Sequence, residues 1–407
     1  RPAGSTSRQR WEVEPLGAGR ANLMAWTSRR PWRQTRGVWF YTHLDHSLSG
    51  DPALDHGLTG WTRPPADPLT GGETLRGLGL AVSKGPAIAA LAAYRALAAA
   101  AAQLGIDVEL GVILAAGGTH RAPPPGPSAP LPPGLDTGLG LGVQAALAQG
   151  WRPDAVINVK GGASGVLSAE PGCLLLQIDW REPFTALPAR GAVPGAAVVA
   201  GRIAVAVEEW RPAYRAWADD GQVAGDLVVG SVRSGLPYKT DLLPGHAAVG
   251  VYLSTTAAVT PDEVAARLAE HIRAALARDG VDTGRGTLTV TPYAHHPAAA
   301  TDEGEPIVRA GRAAWERRFG AGSSVVRGYR GSTDGVIFRR CGVPVVRFGP
   351  TPRPSAADPT VEEISMADVH AFAGLYIDTV TGYVRARGTA GGTDGGTAGG
   401  AAEGAGR

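Results

Sequence analysis

The stretch Gly37–Asp45, GVWFYTHLD, decides how this chain is read. Val38 to Thr42 are all aromatic or β-branched, residue types that favour extended backbone. The run does not alternate with polar residues, so a strand covered on both faces is expected, ending in the polar pair His43 and Asp45. Val108–Ala115 (VELGVILA) and Ala155–Val159 (AVINV) repeat the pattern. Between the first two lies an alanine-rich helix, Gly85–Gln103, with Pro86 near its start, where a missing N–H costs nothing. Strand, helix and strand at this spacing predict an α/β fold with a mostly parallel sheet and flanking helices. Residues 118–134 form a Pro/Gly/Ser loop without a regular pattern.

From about residue 166 the rhythm changes. Cys173–Trp180 reads as a strand, Val198–Trp217 as a helix with a kink at Pro212, and Ala247–Ser254 as a strand. Pro261–Ala277 follows as a helix with acidic residues in its first turn, and Thr287–Pro292 as a strand. This series predicts a small α+β sandwich inserted in the larger domain. The expected partition is 1–165 with 286–387 for the main domain, 166–285 for the inserted domain, and 388–407 for a disordered tail of Gly, Ala, Thr, Asp, Glu and Arg. Helix Glu305–Phe319, strand Val345–Phe348 and helix Ser365–Val384 return to the α/β rhythm.

Composition narrows the function classes. The chain has 407 residues, 44% of them hydrophobic, which supports a sizeable core rather than global disorder. A net charge of +2 is too balanced for a general nucleic-acid binder. The alanine-rich run is too weakly apolar to span a bilayer, and the opening residues lack a signal-peptide stretch, so a soluble cytoplasmic protein is expected. Cys173 and Cys341 are the two cysteines and form no CxxC, which argues against a disulfide scaffold or a cysteine zinc site. Gly77-x-Gly79-x-x-Val82 lacks the third glycine of a dinucleotide fingerprint. The tryptophans read as core anchors. The Arg29–Trp39 cluster reads either as a solvated entry segment or as a surface for an acidic partner.

Several segments together resemble the two-zinc exopeptidases and deacylases, a family that includes acetylornithine deacetylase, succinyl-diaminopimelate desuccinylase and the carrier-protein deacylases of the lysine pathway. His43-Leu44-Asp45 is similar to the family's HxD motif, and Gly77–Gly85 (GLGLAVSKG) to its GRGxxDxKG segment. Gly331–Asp334, Cys341–Pro344, Phe348–Pro350 and Ala357–Glu362 (ADPTVE) follow in the family order. The resemblance covers residues 37–385 and implies the zinc-exopeptidase fold, with the inserted domain as its α+β ferredoxin-like lid.

The same resemblance shows where the pattern breaks. The bridging aspartate falls on Val82, the adjacent glutamates on Gly118 and Thr119, the next acidic ligand on Lys160, Gly161 and Gly162, and the final histidine on Asp358. The lid asparagine and arginine fall on Asp241 and Ser254, and the lid histidine on Phe184 or Thr185. One imidazole and one distant carboxylate do not hold two divalent ions beside a lysine. The expectation is no metal, no cofactor and no zinc-dependent hydrolysis.

The polar residues that remain define the candidate site. His43, Asp45 and Asp358 are the catalytic candidates, with His43 or Asp45 as base and the other as orienting partner. Lys84, Lys160, Arg330, Asp334 and Arg353 are the candidates for binding substrate or an anionic leaving group. Asp334 can instead cap the helix after it. His120 reads as an exposed loop histidine, and His295-His296 as a hinge or surface pair.

Among metal-poor relatives of the carrier-protein deacylases, the sequence resembles the aziridine-forming enzymes of azinomycin-type antibiotic biosynthesis. That resemblance implies metal-independent closure of an aziridine ring. An amine displaces sulfate on an amino acid held by an acidic amino-group carrier protein. It also implies a possible homo- or hetero-oligomer through the lid, and no nucleic-acid or membrane partner. The Ala/Gly/Arg-rich composition agrees with an actinobacterial source. The same losses also fit a non-catalytic scaffold or partner subunit that binds the carrier protein.

Overall fold

The computed structural model describes residues 9–391 apart from 61, 63–69, 72, 127–136, 163, 192–193, 321, 323, 352 and 355–361. The chain opens with a hairpin, β1 (Arg10–Gly17) and β2 (Arg20–Trp26), followed by β3 (Val38–His43). Helix α1 (Gly85–Ala100) leads to β4 (Leu110–Ala115), and α2 (Leu141–Ala148) to β5 (Ala155–Asn158). All six residues of β3 are buried, as a central strand covered on both faces requires. Val38 and Phe40 face the layer of α1. Trp39 and Tyr41 face the opposite layer, where Trp32, Trp151 and Phe338 pack edge-on around them. Gly111 on β4 has no Cβ because the Trp39 ring lies where one would stand.

The lid comprises β6 (Gly172–Arg181), α3 (Ala196–Trp217), β7 (Asp226–Ser234), β8 (His246–Thr255), α4 (Pro261–Arg278) and β9 (Thr287–His296). Its four strands are all antiparallel, in the order β7-β8-β6-β9. One face is sealed by α3 and α4 through Ile178, Trp180, Ile203, Trp210, Leu268 and their neighbours.

The chain then returns through α5 (Pro306–Phe319), α6 (Gly335–Arg340), β10 (Val345–Arg347) and α7 (Met366–Gly391). The central sheet has the order β1-β2-β4-β3-β5-β10. β4, β3, β5 and β10 run parallel, and the hairpin adds two antiparallel strands at one edge. Among the described residues no helix is long and apolar enough to cross a membrane.

The α/β architecture with a mostly parallel sheet is as the sequence predicts, and several particulars differ. The β1–β2 hairpin precedes Gly37, where the sequence reading assigned no element. β7 was not foreseen, because Gly230 and Ser231 interrupt its pattern at a register shift. β9 pairs with β6 along its length, so the lid sheet extends past residue 285 to His296. Helix α3 runs to Trp217 as expected, with Pro212 inside it on its exposed side. At the C-terminus α7 continues to Gly391, four residues into the expected tail.

Candidate active site at the carboxyl ends of the strands

In an open parallel sheet, ligands gather in the crevice beyond the strands' carboxyl ends. There β3 delivers His43 and Asp45, the turn after β4 delivers Gly118 and Thr119, and the segment after β5 delivers Lys160. The parallel register sets the contact. Tyr41 pairs with Asn158, and Val159 donates its N–H to the Tyr41 carbonyl, so His43 and Lys160 fall level on neighbouring strands. The Lys160 ammonium nitrogen stands 2.7 Å from His43 Nε2.

His43 is buried and held from both sides. Its Nδ1 lies 2.8 Å from the Asp45 carbonyl oxygen. A carbonyl can only accept, so Nδ1 carries the hydrogen, and Nε2 is the acceptor that Lys160 meets. The imidazole lies against Gly118, where any Cβ would overlap the ring. The Asp45 carboxylate accepts from the Gly118 N–H at 2.9 Å, the Thr119 N–H at 2.8 Å and the Thr119 hydroxyl. Burial alone would raise its pKa, but the bonds from His43 and Thr119 outweigh that and hold it well below the usual carboxylate range. A carboxylate so saturated orients its neighbour and is a poor proton acceptor.

Burial and the nearby Arg347 push Lys160 down to about 8, with Asp334, Glu170 and Asp45 opposing. Behind it lies a dry charged layer. Glu170 takes 2.6 Å and 2.8 Å ion pairs from Arg339 and Arg347 and a 2.6 Å bond from the Thr333 hydroxyl. Burial opposes ionisation of Glu170, yet the two guanidiniums prevail and bring it to about 2. Arg347 also reaches the Gly161 carbonyl at 2.7 Å and the Tyr329 hydroxyl at 2.9 Å, which braces the Lys160 segment.

In front of this layer is a cavity of about 160 Å³ lined by His43, Asp45, His46, Val82, Thr119, Lys160 and other residues of the same loops. Val82 sits in a π-helical turn, Leu80–Lys84. Its N–H donates to the Glu362 carboxylate at 3.0 Å, and its carbonyl accepts from Gly161 at 3.1 Å. Among the described residues no group of three or more His, Cys, Asp or Glu side chains is gathered to hold a metal ion.

The sequence-predicted residues divide accordingly. His43, Asp45 and Lys160 converge. Asp334 stands behind them, buried. Its side chain makes no helix-cap bond and instead accepts from the Tyr41 hydroxyl, so the capping role is corrected. Burial raises its pKa against the opposing pull of His43, Tyr41 and Lys160. Lys84 does not line the cavity, because its ammonium is tied to the Leu78 carbonyl at 2.9 Å. Arg330 is turned to the lid, 3.7 Å from Asp226, and Arg353 is exposed on a two-residue strand beside Glu363. Asp358 lies outside the described residues.

His120 is not an exposed loop histidine. Its Nδ1 is 2.8 Å from the Tyr252 hydroxyl on β8, and the two rings stack, which ties the site loop to the lid. Burial first, then Lys160, His296 and His43, bring His120 down to about 3. His296 reaches the Leu139 carbonyl at 2.7 Å, a contact across the hinge. The Glu170–Arg339–Arg347 layer escaped the sequence reading, since Glu170 lies 169 and 177 residues from its two arginines and the three fall in no motif.

No family profile matches the sequence, and no curated protein matches it. Solved structures do match in fold. The dipeptidase Dug1p from Saccharomyces cerevisiae aligns with a TM-score of 0.64 over 94% of this chain and 88% of its own, at 11% identity. The M20 family metallo-carboxypeptidase Sso-CP2 from Sulfolobus solfataricus gives 0.61 over 92% and 90%, at 12% identity. Human carnosine dipeptidase 1 gives 0.61 over 93% and 88%, also at 12%. At such identities the likeness is one of fold.

Proposed function

From a peptidase-like scaffold whose crevice is built around a lysine–histidine pair, we propose a metal-independent biosynthetic enzyme that closes an aziridine ring. An amine displaces a neighbouring sulfate ester on an amino acid borne by an acidic amino-group carrier protein. The observation that carries the metal-free part is the 2.7 Å contact between Lys160 Nζ and His43 Nε2. A divalent ion at this imidazole needs the Nε2 lone pair that the ammonium already takes, and Asp45 has its oxygens filled by Gly118 and Thr119. This donor set does not fit a pair of divalent ions. The ring-closing chemistry itself is supported by the sequence resemblance.

The residues suit such a displacement as follows. With the Lys160–His43 pair in its neutral form, Lys160 Nζ accepts a proton from the substrate ammonium. The freed amine attacks the adjacent carbon: one C–N bond forms, and the C–O bond breaks with its electron pair leaving on sulfate. The ring nitrogen then loses its remaining extra proton to solvent. The captured proton makes Lys160 a cation as negative charge builds on the leaving oxygen. Asp45 fixes the His43 tautomer and does not itself accept the proton. Holding nucleophile and leaving group in line supplies on the order of 7–11 kcal/mol in favourable intramolecular cases. The carrier protein and any lid-mediated oligomer belong to the same proposal.

The test is turnover of a carrier-bound vicinal amino-sulfate by purified protein with excess chelator, followed by mass spectrometry. Expected are sulfate release and ring closure indifferent to chelator, with Lys160→Met at least 100-fold slower. Zinc-stimulated amide hydrolysis would overturn the proposal. Carrier binding without turnover would replace it with a non-catalytic partner role.

A further inference from the structure

The lid sheet has one face under helices and one face free of them, where the site loop meets it through His120 and Pro125. On β6, Leu176, Ile178 and Trp180 enter the helix-covered core, so Gln177, Asp179 and Arg181 point the other way. The strand pairings place His246 opposite Arg181, and Ala248 between Asp179 and Arg233. These residues floor a second cavity of about 430 Å³, closed on one side by Pro125 and Gly126. It is separate from the catalytic crevice. Tyr252, which touches His120 beside that crevice, lies six residues along β8 from His246, about 20 Å of strand.

The floor is organised around one acid and several bases. Asp179 is 8% exposed; it holds His246 Nε2 at 2.8 Å and accepts from Gln177 Nε2 at 2.9 Å. Gln177 in turn donates to the Pro125 carbonyl at 3.0 Å and accepts from Arg233 at 3.2 Å. Arg181 is exposed, and its guanidinium makes no hydrogen bond among the described residues. The nearby Lys239 and Asp241 neutralise each other at 2.8 Å. Two guanidiniums against one carboxylate leave the cleft positive even with His246 neutral. The rim is apolar: Leu236 lines the cleft at 49% exposure, Tyr238 follows at 85%, and Phe184, beside Gly245, stands at 74%. A charged floor with an aromatic and aliphatic rim is how a protein interface anchors an oppositely charged segment.

We propose that this cleft on the helix-free face of the lid is a docking site for an acidic peptide segment, held through Arg181 and Arg233. The proposal deepens the functional reading above, since it rests on the substrate arriving on an acidic protein. It places that protein's contact about 20 Å along the lid strand from Tyr252, which touches His120 beside the crevice. One loop serves both sites, with Thr119 lining the crevice and Pro125 and Gly126 lining the cleft.

The experiment titrates a fluorescein-labelled ten-residue Asp/Glu peptide into the full chain at 50 mM salt, read by anisotropy. Saturable binding is expected, at least tenfold weaker in Arg181→Ala/Arg233→Ala and lost with an Asn/Gln peptide. It should be unchanged in Arg36→Ala, at the other end of the molecule, and in Lys160→Met. Absence of saturable binding, or equal binding by the double variant with its thermal midpoint intact, would overturn the docking site. Peptide binding by an enzyme that never turns over the amino-sulfate would leave the docking site standing and remove the ring-closure reading alone.

Discussion

Lys160 shows how a single buried residue ties reactivity to stability. Its folded pKa, about 8, lies below that of an unfolded lysine, so between these values the unfolded chain binds more protons and stability rises with pH. The contribution missing below pH 8 is on the order of 2–3 kcal/mol. Urea unfolding of the wild type is therefore expected to strengthen between pH 8 and about 10.5 relative to Lys160→Met; parallel curves would refute the depressed pKa. Turnover is expected to rise with pH, half-maximal near pH 8 and level about a unit or more above it, following the neutral pair. Glu170 has the opposite sign: its folded value of about 2 gives stability that is present above the unfolded pKa and lost as pH falls toward 2. Glu170→Gln, which strands two buried guanidiniums, is expected to cost about 3–5 kcal/mol at pH 7 by urea unfolding. His43 and Asp45 were legible as a motif. Their division of labour was not, because it depends on which oxygens Gly118 and Thr119 occupy.

At the scale of elements, local chemistry and packing account for different features. α4 begins at Thr260 with a reciprocal capping box to Glu263 and carries Pro261 in its first turn, all readable from the sequence. Thr260→Ala is expected to lower stability by about 1 kcal/mol. α3 runs through Pro212, where propensity predicts a break, because Val199, Ile203, Val207 and Trp210 on one side and Tyr214 on the other are buried in the lid core. Replacing this exposed proline with alanine is expected to raise the thermal midpoint, by up to about 3 kcal/mol of recovered helix stability; an unchanged midpoint would mean the helix had already absorbed the cost. The early hairpin was missed because Trp11 and Val13 lie exposed on an edge strand interrupted by Pro15, so no buried run marks it.

For the molecule as a whole, the lid is fastened to the crevice by His120 and Tyr252. Tyr252→Phe keeps the ring stack and removes the hydroxyl, at an expected cost of about 1 kcal/mol. Hydrogen exchange in residues 118–126 should quicken; unchanged protection would show that the bond does not restrain the loop. His120 adds an acid sensitivity. Its folded pKa of about 3 is below the unfolded value, so the native state resists its protonation and stability falls as pH drops below about 6.5. Lid docking and the acidic limb of the stability curve should therefore weaken together.

By itself the sequence determined the alternation of buried strands and amphipathic helices, the inserted lid and the convergence of His43 with Asp45 at a strand end. Each is written in side-chain periodicity or in residues adjacent along the chain. Tertiary structure alone decided that Lys160 meets His43, that Glu170 neutralises Arg339 and Arg347, and that Arg330 and Arg353 stand away from the cavity. Those outcomes depend on which parallel strands become neighbours and in what register. Loops and helices tens of residues long intervene between the strands, and pairing energies across such distances leave no periodic trace in any one segment.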